Sequence, residues 1–81
     1  MKLEIISPEK RIFSGEVEAV NLPGSAGRFT VLPQHAALIS SLKSGEITYT
    51  ANGEETKFTI DSGFVEVNNN LVSVCIEKVI L

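Results

Sequence analysis

The chain has 81 residues, a formal net charge of −3, 43% apolar residues, no tryptophan and one cysteine. This is one small domain spanning residues 1–81, and it should bury about 60–65% of the surface its unfolded chain exposes. Without a Lys/Arg cluster it cannot offer the counterion-replacing surface that nucleic acid needs, no apolar run reaches the ~18 residues that cross a bilayer, and MKLEIISPEKR lacks the apolar core of a signal peptide.

In chain order, Lys2 to Ser7 reads as a strand with Leu3 and Ile5 on one face. Ser7-Pro8-Glu9-Lys10 is a turn. Its S-x-x-K spacing matches some hydrolases, but that motif needs the first turn of a buried helix, and here it lies between strands. Arg11 to Leu22 is the longest strand-like run. Phe13, Gly15, Val17 and Ala19 alternate with polar neighbours, Gly15 marks a bulge or bend, and the apolar face switches at Val20 and Leu22. Pro23-Gly24 is a turn signal, and Gly24 and Gly27 bracket the small loop Ser25-Ala26. Arg28 stands at the loop's edge. Phe29–Leu32 and Ala36–Ile39 are short and strand-like, with the corner Pro33-Gln34-His35 between them, and Lys43-Ser44-Gly45 makes the next turn.

Glu46 to Thr50 alternates with Ile47 and Tyr49 on one face. Asn52-Gly53 is the strongest local signal, because both residues accept the positive φ of a two-residue type I′ hairpin. The return strand carries Thr56, Phe58 and Ile60. Asp61-Ser62-Gly63 is a tight turn or bulge, followed by a strand from Phe64 to Val67. Asn68-Asn69-Asn70 makes another hairpin turn. Val72, Val74 and Ile76 end the chain in a strand, with Ser73 and Cys75 opposite. No segment reads as a helix. Apolar runs rich in Val, Ile, Thr and Phe, with turn signals every eight to ten residues or so, predict an all-β fold: a small antiparallel sandwich or flattened barrel of about 8–10 short strands.

Chemistry is sparse. His35 is the only histidine and Cys75 the only cysteine, so no ligand set for a metal is apparent and no intramolecular disulfide can form. A lone cysteine also points to a reducing compartment. Ser25, His35 and Asp61 supply the residue types of a hydrolytic triad, but the strained nucleophile turn G-x-S-x-G is absent. His35 reads as a structural or interface group, and Glu16, Glu18, Glu54 and Glu55 as a solvated face. No phosphate loop or cofactor motif is present. From the residues alone this is a small acidic β-domain, a binding module whose usable surfaces are sheet faces, edges and loops.

Several pieces in order resemble one family. These are Phe13-Ser14-Gly15-Glu16-Val17, the Gly24–Gly27 loop, the run Leu32 to Gly45, Ser62-Gly63-Phe64-Val65-Glu66-Val67, and Asn70-Leu71-Val72-Ser73-Val74. Together they are similar to the N-terminal β-sandwich domain of the epsilon subunit of F-type ATP synthases, called delta in mitochondria. The family often has Gly where Gln34 stands, Pro at Ala37 and Ser44, Gly at Ser62, and a carboxylate at Arg28. Relatives continue into a C-terminal helical hairpin, and a domain without that hairpin is expected here. The resemblance implies a non-catalytic rotor component without cofactors. It would lock the gamma subunit to the c-subunit ring, peripheral to the cytoplasmic face of the bacterial inner membrane and without bilayer insertion. It further implies a loop facing the c ring, Gly24, Ser25, Ala26, Gly27 and Arg28. For the gamma interface it implies candidates among His35, Ala36, Leu38, Ile39, Ser40 and Leu42. The second reading is a free-standing ligand- or peptide-binding β-sandwich.

Overall fold

Residues 1–80 are described by a computed structural model, with side chains through Glu77. All eight elements are strands: β1 (Lys2–Ile6), β2 (Arg11–Glu16), β3 (Ala19–Gly24), β4 (Gly27–Val31), β5 (Leu38–Leu42), β6 (Gly45–Ala51), β7 (Glu54–Asn68) and β8 (Leu71–Ile80). They pair into two layers. One runs β2-β1-β8-β7-β5, and the other runs β4-β3-β6-β7. The layers share β7, whose first half pairs with β6 and whose second half pairs with β5.

That sharing decides between the turn and the bulge expected at Asp61-Ser62-Gly63, and corrects the expectation of a separate strand from Phe64. Asp61-Ser62-Gly63 does not end a strand. It is a bulge inside a single 15-residue strand, where the register against β8 shifts on both sides of Ser62. Bulges bend a strand and raise its twist, which is what a strand needs in order to leave one layer and enter the other. Gly63 allows it: a Cβ there would sit 2.4 Å from the Cys75 carbonyl oxygen.

A second correction concerns Arg11 to Leu22. The run is two strands, broken at Val17-Glu18, and the switch of apolar face at Val20 is the start of β3 in the other layer. Gly15 is neither bulge nor bend. It pairs with Leu3 in regular register, and its missing side chain leaves room for the Phe13 ring, which an added Cβ would meet at 3.1 Å. Phe13 stacks on Tyr49 of the other layer with ring centroids 4.3 Å apart, so the two aromatics close that side of the sandwich. Third, the sheet is not wholly antiparallel, since β1 runs parallel to β8. Finally, the strand expected over Ala36–Ile39 begins only at Leu38.

The hairpins follow turn chemistry. Asn52 and Gly53 have φ of 53° and 77°, with Ala51 opposite Glu54. Asn69 and Asn70 have φ of 51° and 62°, with Asn68 opposite Leu71. Asparagine bears the left-handed region because its short polar side chain bonds locally. Between the layers lies a core of aliphatic side chains contributed by every strand except β2. Among the described residues, no polar or charged side chain is buried. Alternation does the sorting: Val65 and Val67 point in, and Phe64 and Glu66 point out.

Candidate functional site: a sheet face and a stitched tip

Ser25, His35 and Asp61, which supply the residue types of a triad, are not brought together. Ser25 and His35 lie toward opposite ends of β5. The Ser25 hydroxyl accepts a hydrogen bond from Ser41 Oγ at 2.7 Å, near the bulge end. His35 sits by the Asn68–Asn70 hairpin, where the Gln34 amide donates to Asn70 Oδ1 at 3.0 Å. The His35 Nδ1 donates to the Ala36 carbonyl at 2.8 Å, and its amide closes a turn onto the Leu32 carbonyl. Both bonds are local, which makes His35 a corner residue. Among the described residues, no group of three or more His, Cys, Asp or Glu is placed to hold a metal.

The Gly24–Arg28 segment splits by role. Ser25 and Ala26 form the exposed tip of a tight β3–β4 hairpin in which Gly24 faces Gly27. Gly24 itself is buried, and a Cβ there would clash with the Gly27 carbonyl at 2.6 Å and the Phe29 ring at 2.8 Å. It therefore shapes the tip and has no surface to offer. The tip is stitched to the neighbouring β5–β6 turn: the Ser25 amide donates to the Ser41 carbonyl at 3.0 Å, and the Lys43 amide to the Pro23 carbonyl at 2.9 Å. Two loops thus make one rigid end, bearing Ser25, Ala26, Lys43 and Ser44. Arg28 is not a flexible rim charge. Its guanidinium lies along the outer face, with Nε and one terminal nitrogen donating to Asn21 Oδ1 and that same nitrogen to the Glu46 carbonyl. Asn21 in turn donates to Thr30 at 2.8 Å.

The interface candidates on β5 divide by parity. Leu42 is 3% exposed and belongs to the core, so it cannot meet a partner. Leu38 and Ser40 are half-buried on the same inward side, while Ile39 is 75% exposed. His35 is half-buried and Ala36 is exposed at the corner. Sequence reading overlooked Ile39's neighbours. Ile6, Cys75, Phe64 and Ser41 form one cross-strand row on the outer face of the first layer, and Ser73, Glu66 and Ile39 form the next. Phe64 is 51% exposed and Ile6 41%. A signal was available, because Phe64 alternates with Val65 and Val67 and must face away from the core. Glu18 was also underrated: its carboxylate accepts from the Gly53 amide at 3.1 Å and braces the Asn52-Gly53 hairpin.

Fold and surface together define a small β-sandwich domain, with exposed apolar side chains on one sheet face and a polar tip joined by hydrogen bonds. The chain belongs to the ATP synthase delta/epsilon chain β-sandwich domain family, whose model matches residues 1–81. It is 46% identical over 72 residues to the ATP synthase epsilon chain of Desulfitobacterium hafniense, covering 89% of this chain and 54% of that one. It is 38% identical over 77 residues to the epsilon chain of Geobacter sulfurreducens, covering 95% and 56%. The chain thus spans little more than half the length of these relatives. Its fold matches a chain of the Euglena gracilis mitochondrial ATP synthase OSCP/F1/c-ring structure, with a TM-score of 0.89, 22% identity and coverage of 96% of this chain and 51% of the other. It also matches a chain of the Tetrahymena thermophila mitochondrial ATP synthase central stalk/c-ring structure, with a TM-score of 0.85, 12% identity and coverage of 98% and 64%.

Proposed function

We propose that this domain is a non-catalytic central-stalk component of an F-type ATP synthase. It docks on the gamma subunit through the outer face of the first layer and meets the c-subunit ring with the β3–β4 tip. The whole would sit peripherally on the cytoplasmic face of the bacterial inner membrane. The observation that carries the reading is the exposed apolar set Ile6, Phe64 and Ile39 on one sheet face of a domain of net charge −3. Large apolar side chains left in water on one face of a small domain mark a protein interface, and an aromatic is a usual anchor of one. The stitched tip suits the second contact. Three hydrogen bonds between its two loops fix its shape before any partner arrives, so little ordering entropy is lost on docking.

The test is affinity for the gamma subunit. Phe64→Ala is expected to weaken binding by about 2 kcal/mol, as an interface anchor does. Because the side chain is half in water already, the urea midpoint of the free domain should hardly move. Unchanged gamma affinity in Phe64→Ala would place the interface elsewhere.

A further inference from the structure

We propose that the free edge of β5 accepts an extended segment of the protein partner as an added strand, centred on Ile39. The inference rests on the stalk reading above and adds to it the backbone chemistry of the contact.

Hydrogen-bond parity points there. The Ser41 carbonyl and the Lys43 amide bond toward β3, so the odd-numbered residues of β5 turn their backbone away from β7. In an antiparallel ladder this direction alternates residue by residue. The amide and carbonyl of Ile39 therefore face outward, and beyond the Gly24–Leu42 pair no strand lies against them. Proteins blunt such edges with charge, proline, irregular pairing or a cover. The outer strand β2 carries Arg11 and Glu16 and a register shift opposite it, and β4 carries Gly27 and Arg28. β5 reads Leu-Ile-Ser-Ser-Leu, with neither charge nor proline, and its outward side chain is the most exposed large apolar residue described. An extended backbone satisfies the unpaired groups, and side chains in the adjoining cleft supply selectivity. That cleft is lined by Ala37, Ile39, Glu66 and Asn68. Glu66 is exposed and forms no ion pair among the described residues. The segment that fits has an apolar residue against Ile39 and a lysine or arginine toward Glu66.

Amide exchange of the chain, free and bound to the gamma subunit, reads this directly. The Ile39 amide is expected to slow on the order of tenfold or more in the complex. Ile39→Pro removes an outward amide, which an edge tolerates. It should leave the urea midpoint near that of the unaltered chain and weaken gamma binding by about tenfold. Ile39→Ala keeps the amide and should retain the exchange protection. If gamma binds yet the Ile39 amide exchanges as in the free chain, strand addition is wrong and the docking face stands. If gamma does not bind the unaltered chain, the stalk reading fails and this inference falls with it. A dimer of the free chain that protects the Ile39 amide would make a second copy the occupant and overturn the proposal. Should Ile39→Pro fail to fold, the exchange of the unaltered complex decides.

Discussion

Gln34 has φ of +68°, a left-handed conformation that costs a β-carbon-bearing residue about 1–2 kcal/mol. The hydrogen bond from its amide to Asn70 Oδ1 helps hold it there. Gln34→Gly removes the clash but adds freedom to the unfolded chain. The expected result is a gain of up to about 1 kcal/mol, seen as a higher urea midpoint at unchanged slope. Asn70→Ala should do the reverse: it loses the bond to Gln34 and places alanine at φ of 62°. A loss of about 1–2 kcal/mol is expected by urea unfolding. Gly63→Ala is the sharpest case, because the new methyl would meet backbone atoms and no flexible side chain. It should cost about 1–3 kcal/mol, and an unchanged midpoint would mean the bulge is looser than described. At this scale the sequence was partly legible. Asn-Gly and Asn-Asn announced their positive φ, whereas glutamine itself carries no such signal; its place in a Pro-Gln-His corner and the glycine that relatives often have there hinted at it.

Elements were legible wherever turn chemistry was local. Both asparagine hairpins, the absence of helix, and the inward sides of β6 and β8 could be read from alternation. Contacts without a local signature could not. The parallel pairing of β1 with β8 joins residues about seventy apart in the chain, and no turn encodes it. Likewise, Asp61-Ser62-Gly63 offered turn and bulge equally, since both use small polar residues. Only its pairing with β8 decides that β7 continues and bends. The proposed docking surface was half legible for the same reason. β5 was singled out, but its inward Leu42 was grouped with its outward Ile39, and the row contributed by β1, β7 and β8 depends on register. One prediction belongs here. Asn52→Ala puts alanine at φ of 53° in the β6–β7 turn, and the domain should lose about 1 kcal/mol, measured by thermal or urea unfolding.

In the whole molecule, a small aliphatic core holds two layers around a bent strand, and function falls to the surface. One outer face exposes Ile6, Phe64 and Ile39 among polar neighbours, and one end is a stitched tip. On the proposed central-stalk reading these would be two separated contacts on one body, as a part that links two partners needs. The most direct measurement is therefore cross-linking in the assembled complex. Cysteine is placed at Ala26, an exposed residue of the β3–β4 tip, in a chain whose Cys75 has been changed to serine. The central-stalk account predicts a disulfide to a cysteine in the polar loop of a c subunit, with gamma still bound. Efficient cross-linking to a catalytic-head subunit, with none to c, would show that the tip points the other way and contradict the account.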